Sequence, residues 1–134
     1  MLIPHGTVIA LVDGKKFVLL RNSGTEAEPE LTAMPTPQID HHNHSNTGHR
    51  SSAGNHADHL VAEDAFATAA TNWLNEQAIG HKIEKLIVIA APRALGEMRR
   101  HYRKQLEQTI IHELAKDLTA KKPTEILAAL RVKH

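Results

Sequence analysis

Arg93, Arg99, Arg100, His101, Arg103 and Lys104 crowd one short stretch of the chain, with Glu97 inside it and Glu107 just beyond. Guanidinium forks at this density suit phosphate, because each presents parallel N–H donors to two anion oxygens. Arg93 follows Pro92, a residue suited to a first helical turn, so it falls where the helix dipole favours anions. Arg93, Arg99, Arg100, Arg103 and Lys104 are therefore candidate nucleic-acid-binding residues. The plainer account is a solvated helix face with cations toward its C-terminus, offset by Glu97 and Glu107.

Two further groups of side chains bear on chemistry. Asp13 ends an apolar strand pattern, and Glu63 with Asp64 opens a long helical one. Carboxylates at such positions hold paired divalent cations in metal-dependent nucleases, which makes Asp13 and Glu63 candidate catalytic residues. That chemistry also needs an acid on the central strand, and Leu86–Ala91 supplies none. Without it, Asp13 forms a turn and Glu63 and Asp64 complement a helix dipole. His41, His42 and His44, with His49, His56 and His59 nearby, are candidate metal ligands, since neutral imidazole suits zinc, nickel or copper. Their spacing matches no ordered ligand motif, and a polar loop that binds metal adventitiously accounts for them equally. His112-Glu113 lacks the second histidine of a metalloprotease helix, because Lys116 stands there. The sequence points to no cofactor.

The elements that must position these residues follow from periodicity. Thr7–Val12 and Phe17–Leu20 flank Asp13-Gly14 as a hairpin, and Glu30–Met34 adds a third strand to an antiparallel meander. Residues 35–58 have no hydrophobic period and form a long His-rich loop. Ala62, Ala65, Phe66, Ala69, Ala70, Trp73, Leu74 and Ala78 make one helical stripe, capped by Asp58 and stopped by Gly80 in a left-handed conformation. Leu86–Ala91 is an uninterrupted apolar run, as in a buried parallel strand. Leu95, Met98, Tyr102 and Leu106 then form the stripe of a single basic helix, in which Gly96 implies a close backbone approach to the sheet. Ile110–Ala115 is another strand. Pro123 opens a last helix with Ile126, Leu127 and Leu130 inward. The expected fold is α/β, a mixed sheet of about five strands with three helices, in the element order of ribonuclease-H-like proteins.

Composition narrows the function. The 134 residues suit one domain, 1–134. Aromatic residues are 3%, too few for base-stacking platforms, and the net charge of +1 excludes a uniformly basic nucleic-acid binder. No DNA-specific signal is present. Cysteine is absent, which removes disulfide and thiolate chemistry. No signal peptide and no apolar run long enough to span a membrane is visible, so the expected location is cytoplasmic.

With these motifs placed, the chain resembles the bacterial proteins required for attachment to host cells, a family similar to the middle domain of archaeal and eukaryotic peptide-chain release factors. The resemblance rests on Pro4-His5-Gly6-Thr7, Val12-Asp13-Gly14, Gly48-His49-Arg50-Ser51, Trp73-Leu74, Ala90-Ala91-Pro92-Arg93 with Leu95-Gly96 and Arg99, and Glu113 with Lys116-Asp117-Leu118-Thr119. It implies a release-factor-like fold and a ribosome or RNA partner. Release factors act through a Gly-Gly-Gln loop, and this sequence has no Gly-Gly-Gln, so no catalytic glutamine carries over. A metal-dependent nuclease or hydrolase, or a non-catalytic interaction module such as a homodimer that affects attachment indirectly, are the competing expectations.

Overall fold

A computed structural model describes residues 2–37, 39 and 55–131, with only the backbone described over 55–59. His41, His42 and His44 lie outside the described residues. Five strands, β1 (Val8–Val12), β2 (Phe17–Asn22), β3 (Leu31–Ala33), β4 (Leu86–Ala90) and β5 (Ile110–Ala115), form one mixed sheet in the order β3-β2-β1-β4-β5. β1 pairs antiparallel with β2 and parallel with β4, while β5 extends the sheet parallel to β4. Among the described residues four helices accompany them: α1 (Asn55–Ile79), α2 (Pro92–Arg99), α3 (Lys104–Thr109) and α4 (Pro123–Arg131).

β1 and β4 are buried at every position, because both of their faces are covered. Val8, Ala10, Val12, Leu86, Val88 and Ala90 point to one face, under α1, α2 and α3. Ile9, Leu11, Ile87 and Ile89 point to the other, where Ile126 and Leu130 of α4 meet Ile3, Leu20, Leu31 and Leu114. The first core is Ala-rich and carries few rings; Phe17 and Trp73 meet edge to face at 5.7 Å. Shaving Leu74, fully buried beneath α1, to alanine would cost about 2–5 kcal/mol.

Several local expectations change. α1 starts at Asn55, so Asp58 lies inside the helix and the 35–58 loop ends earlier than the composition suggests. Its buried face is shifted: Ala62 is exposed, whereas Ala67, Thr71 and Asn75 are buried. His81, not Gly80, takes the left-handed position, at φ 59°. The Lys82 amide reaches Gln77 O at 2.9 Å and the His81 amide reaches Ala78 O at 3.1 Å, which closes the helix end around His81. Open space surrounds Gly96, so no close approach requires that glycine. Gly14 does have such a requirement, since a Cβ there would fall 2.5 Å from Glu63 Cγ.

The largest change concerns the basic helix. It is two helices, α2 and α3, separated at Arg100–Arg103. Asn75 of α1 is 3% exposed and holds the break open. Its Nδ2 donates to His101 O at 2.9 Å, and its Oδ1 accepts the Arg103 amide at 2.9 Å. One amide side chain thus satisfies the two backbone groups that a continuous helix would have paired internally.

Candidate nucleic-acid interface

The break sets the geometry of the basic residues. Ahead of it, Arg93 makes a bidentate contact with Asp64 of α1, Nε to Oδ1 at 3.1 Å and Nη2 to Oδ2 at 2.9 Å. Arg99 sends Nε and Nη2 to Glu113 Oε1 on β5, at 3.0 and 2.6 Å. The second oxygen of Glu113 accepts the Tyr102 hydroxyl at 2.6 Å, so this carboxylate ties the end of α2 and the break to the edge strand. Burial alone would raise the Glu113 carboxyl. The hydrogen bonds from Arg99 and Tyr102 and the charges of Arg99 and His112 outweigh it and hold the group below the usual carboxylate range. Burial and the Glu113 contact push the Tyr102 phenol upward, so it stays a donor.

Arg100 makes only a 3.4 Å contact with Glu97, and its side chain is 75% exposed. Glu97 is shared, receiving Thr68 Oγ1 at 3.3 Å and facing His101 Nε2 at 3.1 Å. Arg103 and Lys104 are exposed at the start of α3, with no side-chain ion pair among the described residues. The five basic candidates therefore divide: two guanidinium forks are engaged by carboxylates, one is loosely held, and two cations face solvent.

The carboxylate candidates come together where β1 ends, beside the end of β4 from which α2 departs. Asp13 Oδ1 accepts the amides of Lys15 and Lys16 at 2.7 and 2.6 Å. Its Oδ2 accepts Thr119 Oγ1 at 2.9 Å, and that hydroxyl also reaches Asp117 Oδ1 at 2.9 Å. Burial would raise the Asp13 carboxyl, but the two amides, the Thr119 hydroxyl and the Lys16 charge prevail and lower it. The stem of Glu63 packs on Gly14, next to Asp13. Among the described residues no three His, Asp or Glu side chains are grouped to hold a metal ion. The geometry of Asp13 is that of a turn carboxylate whose acceptors are already engaged.

Asn75 is not marked in the sequence, because an asparagine on an Ala-rich stripe gives no sign of the backbone groups it will meet. Glu113 stands out only within a motif; the arginine and tyrosine that converge on it lie at the end of α2 and in the break that follows. Among the described residues no helix is long and apolar enough to cross a membrane.

A family model described as Bacterial archaeo-eukaryotic release factor family 12 matches residues 6–130. No curated protein sequence matches the chain.

Proposed function

From the premise that this chain belongs to bacterial archaeo-eukaryotic release factor family 12, we propose that it acts in translation as a domain that binds RNA or the ribosome. The family match carries the reading. The exposed cations of the α2–α3 region support it: Arg100, Arg103 and Lys104 lead the contact, and Arg93 and Arg99 brace the surface through Asp64 and Glu113. The domain binds without hydrolysing peptidyl-tRNA in the release-factor manner, since it has no Gly-Gly-Gln. A ribosomal partner makes the cytoplasm its workplace, and any effect on attachment to host cells is then indirect, through the proteins being made.

Co-sedimentation with ribosomes at low and moderate salt tests this. The wild-type chain is expected to pellet in a salt-sensitive way, because phosphate contacts release counterions. The Arg100→Glu/Arg103→Glu/Lys104→Glu variant, checked for an unchanged melting temperature, is expected to pellet less. Failure of the wild-type chain to pellet at any salt overturns the reading.

A further inference from the structure

A second basic region lies at the end of the sheet where β1 and β4 begin. His5, Gly6, Val8, Arg21, Met34, His81, Lys82, Glu84 and Lys85 line a cleft of about 390 Å³. It adjoins a second hollow, which shares His5, Arg21 and Met34 and adds an apolar shoulder from Ala33 and Pro35. We propose that this cleft binds an RNA phosphodiester backbone, its phosphates on Arg21, Lys82 and Lys85 and a neighbouring ribose or base against Met34 and Pro35. The proposal rests on the RNA-binding reading above and gives it a different surface.

Charge is the first argument. Arg21, Lys82 and Lys85 face one carboxylate, Glu84, so the cleft concentrates more positive charge than the net +1 of the whole chain. None of the three cations has a side-chain ion pair among the described residues. An arginine and two lysines lining one concavity give it a positive potential that attracts an anion of multiple charge.

Preorganisation is the second. Asn22, fully buried at the end of β2, donates through Nδ2 to Ile3 O at 2.9 Å, with Pro4 O and Thr25 O at 3.4 and 3.3 Å. Its Oδ1 accepts the amides of Gly24 and Glu30, each at 2.9 Å. This side chain ties the N-terminal segment to the β2–β3 connection. His5 is held in the same wall, with Nδ1 2.6 Å from Gly24 O, which leaves Nε2 available to the cleft. Gly6 turns the segment at φ 85°, a conformation that glycine adopts without strain. On the facing side, His81 stands in the left-handed conformation that glycine fills at lower cost, and it lines the cleft.

Size and chemistry select the ligand. The cleft is far larger than one phosphate and falls within the range of nucleotide-sized sites. Cations beside an apolar shoulder match the alternation of phosphate and ribose-base along a nucleic acid strand. The scarcity of rings predicts backbone recognition with little base preference.

The test is fluorescence anisotropy of the full chain with a fluorescein-labelled oligouridylate over a series of salt concentrations, beside ribosome pelleting. Arg21→Gln/Lys82→Gln/Lys85→Gln is expected to weaken binding by roughly tenfold or more and to lower the salt slope by about 2, as expected from the loss of three single-strand phosphate contacts. Should that variant lose its fold, Lys82→Gln/Lys85→Gln on the exposed turn gives the same test with a slope change of about 1.4. Unchanged affinity and slope in a folded variant, with ribosomes still pelleting, overturns the cleft and leaves the translation reading standing. Oligouridylate binding lost with the cleft variant, but no ribosome pelleting by the wild type, keeps the cleft and overturns the ribosomal reading. Equal binding of polyglutamate by the same cations would reassign the cleft to an acidic protein and overturn it as an RNA site.

Discussion

Two basic regions of this molecule are each organised by a buried asparagine, yet they present their charges differently. Around α2 and α3, Asn75 holds a helix break while Asp64, Glu113 and Glu97 engage the neighbouring guanidinium groups. At the opening of β1 and β4, Asn22 fixes a cleft wall, and Arg21, Lys82 and Lys85 are left without acidic partners among the described residues. Density of arginines therefore does not measure availability: Arg93 and Arg99 are engaged by carboxylates, while Arg103 and Lys104 face solvent as the three cations of the cleft do. What counts is how much of each cation's hydrogen-bonding capacity folding leaves unused.

The largest expected effects separate the two asparagines. Asn22→Leu leaves the buried Ile3 carbonyl and the part-buried amides of Gly24 and Glu30 unpaired and should cost about 3–4 kcal/mol in urea unfolding. Asn75→Leu, which orphans two backbone groups, should cost about 2–3 kcal/mol. Under conditions where both variants are folded, the first should lose oligouridylate affinity and the second should keep it. The reverse result would exchange the roles of the two regions.

His81→Gly should raise stability by about 1 kcal/mol, by relieving the left-handed strain, while weakening RNA binding. A stabilised protein with full affinity would mean that the imidazole has no part in the cleft. Glu113→Gln sharpens the comparison from the other side. It should cost under about 1 kcal/mol, because Arg99 is 57% exposed, and it should release that guanidinium. The salt dependence of ribosome pelleting should then steepen, and an unchanged dependence would show that the ion pair is not what withholds Arg99.

The smallest effect is in acid. Asp13 and Glu113 both titrate below the usual carboxylate range when folded, so the unfolded chain binds protons first as pH falls. Their stabilisation is complete above the ordinary carboxylate value near 4 and is lost as pH drops through the folded values. Asp13→Asn should flatten this acid limb in urea titrations, and an unchanged limb would discount the Lys15, Lys16 and Thr119 contacts.

The strands were legible where burial on both faces leaves an uninterrupted apolar run, as in β1 and β4, and where Asp13-Gly14 marks the turn from β1 to β2. The split of the basic helix was hidden because Tyr102 and Leu106 continue the stripe of Leu95 and Met98. Only Asn75, remote in sequence, shows that the chain leaves the helix there. Gly80 drew the helix stop to itself, though the left-handed residue is its neighbour. The cleft left no local trace, since Arg21 reaches it on the returning strand of a hairpin while Lys82 and Lys85 arrive with the turn before β4. The basic density around Arg99 was visible, but not the carboxylates that meet it.

The sheet order also sets a timetable for synthesis. β1, β2 and β3 leave the ribosome early, but the other edge of β1 pairs only with β4, which follows the whole of α1. At ordinary elongation rates that edge waits on the order of ten seconds with its amides and carbonyls unmatched. During that interval the nascent meander is open to pairing with the wrong strand. Slowing translation between β3 and β4 would lengthen this exposure and leave the sequence of the finished protein unchanged.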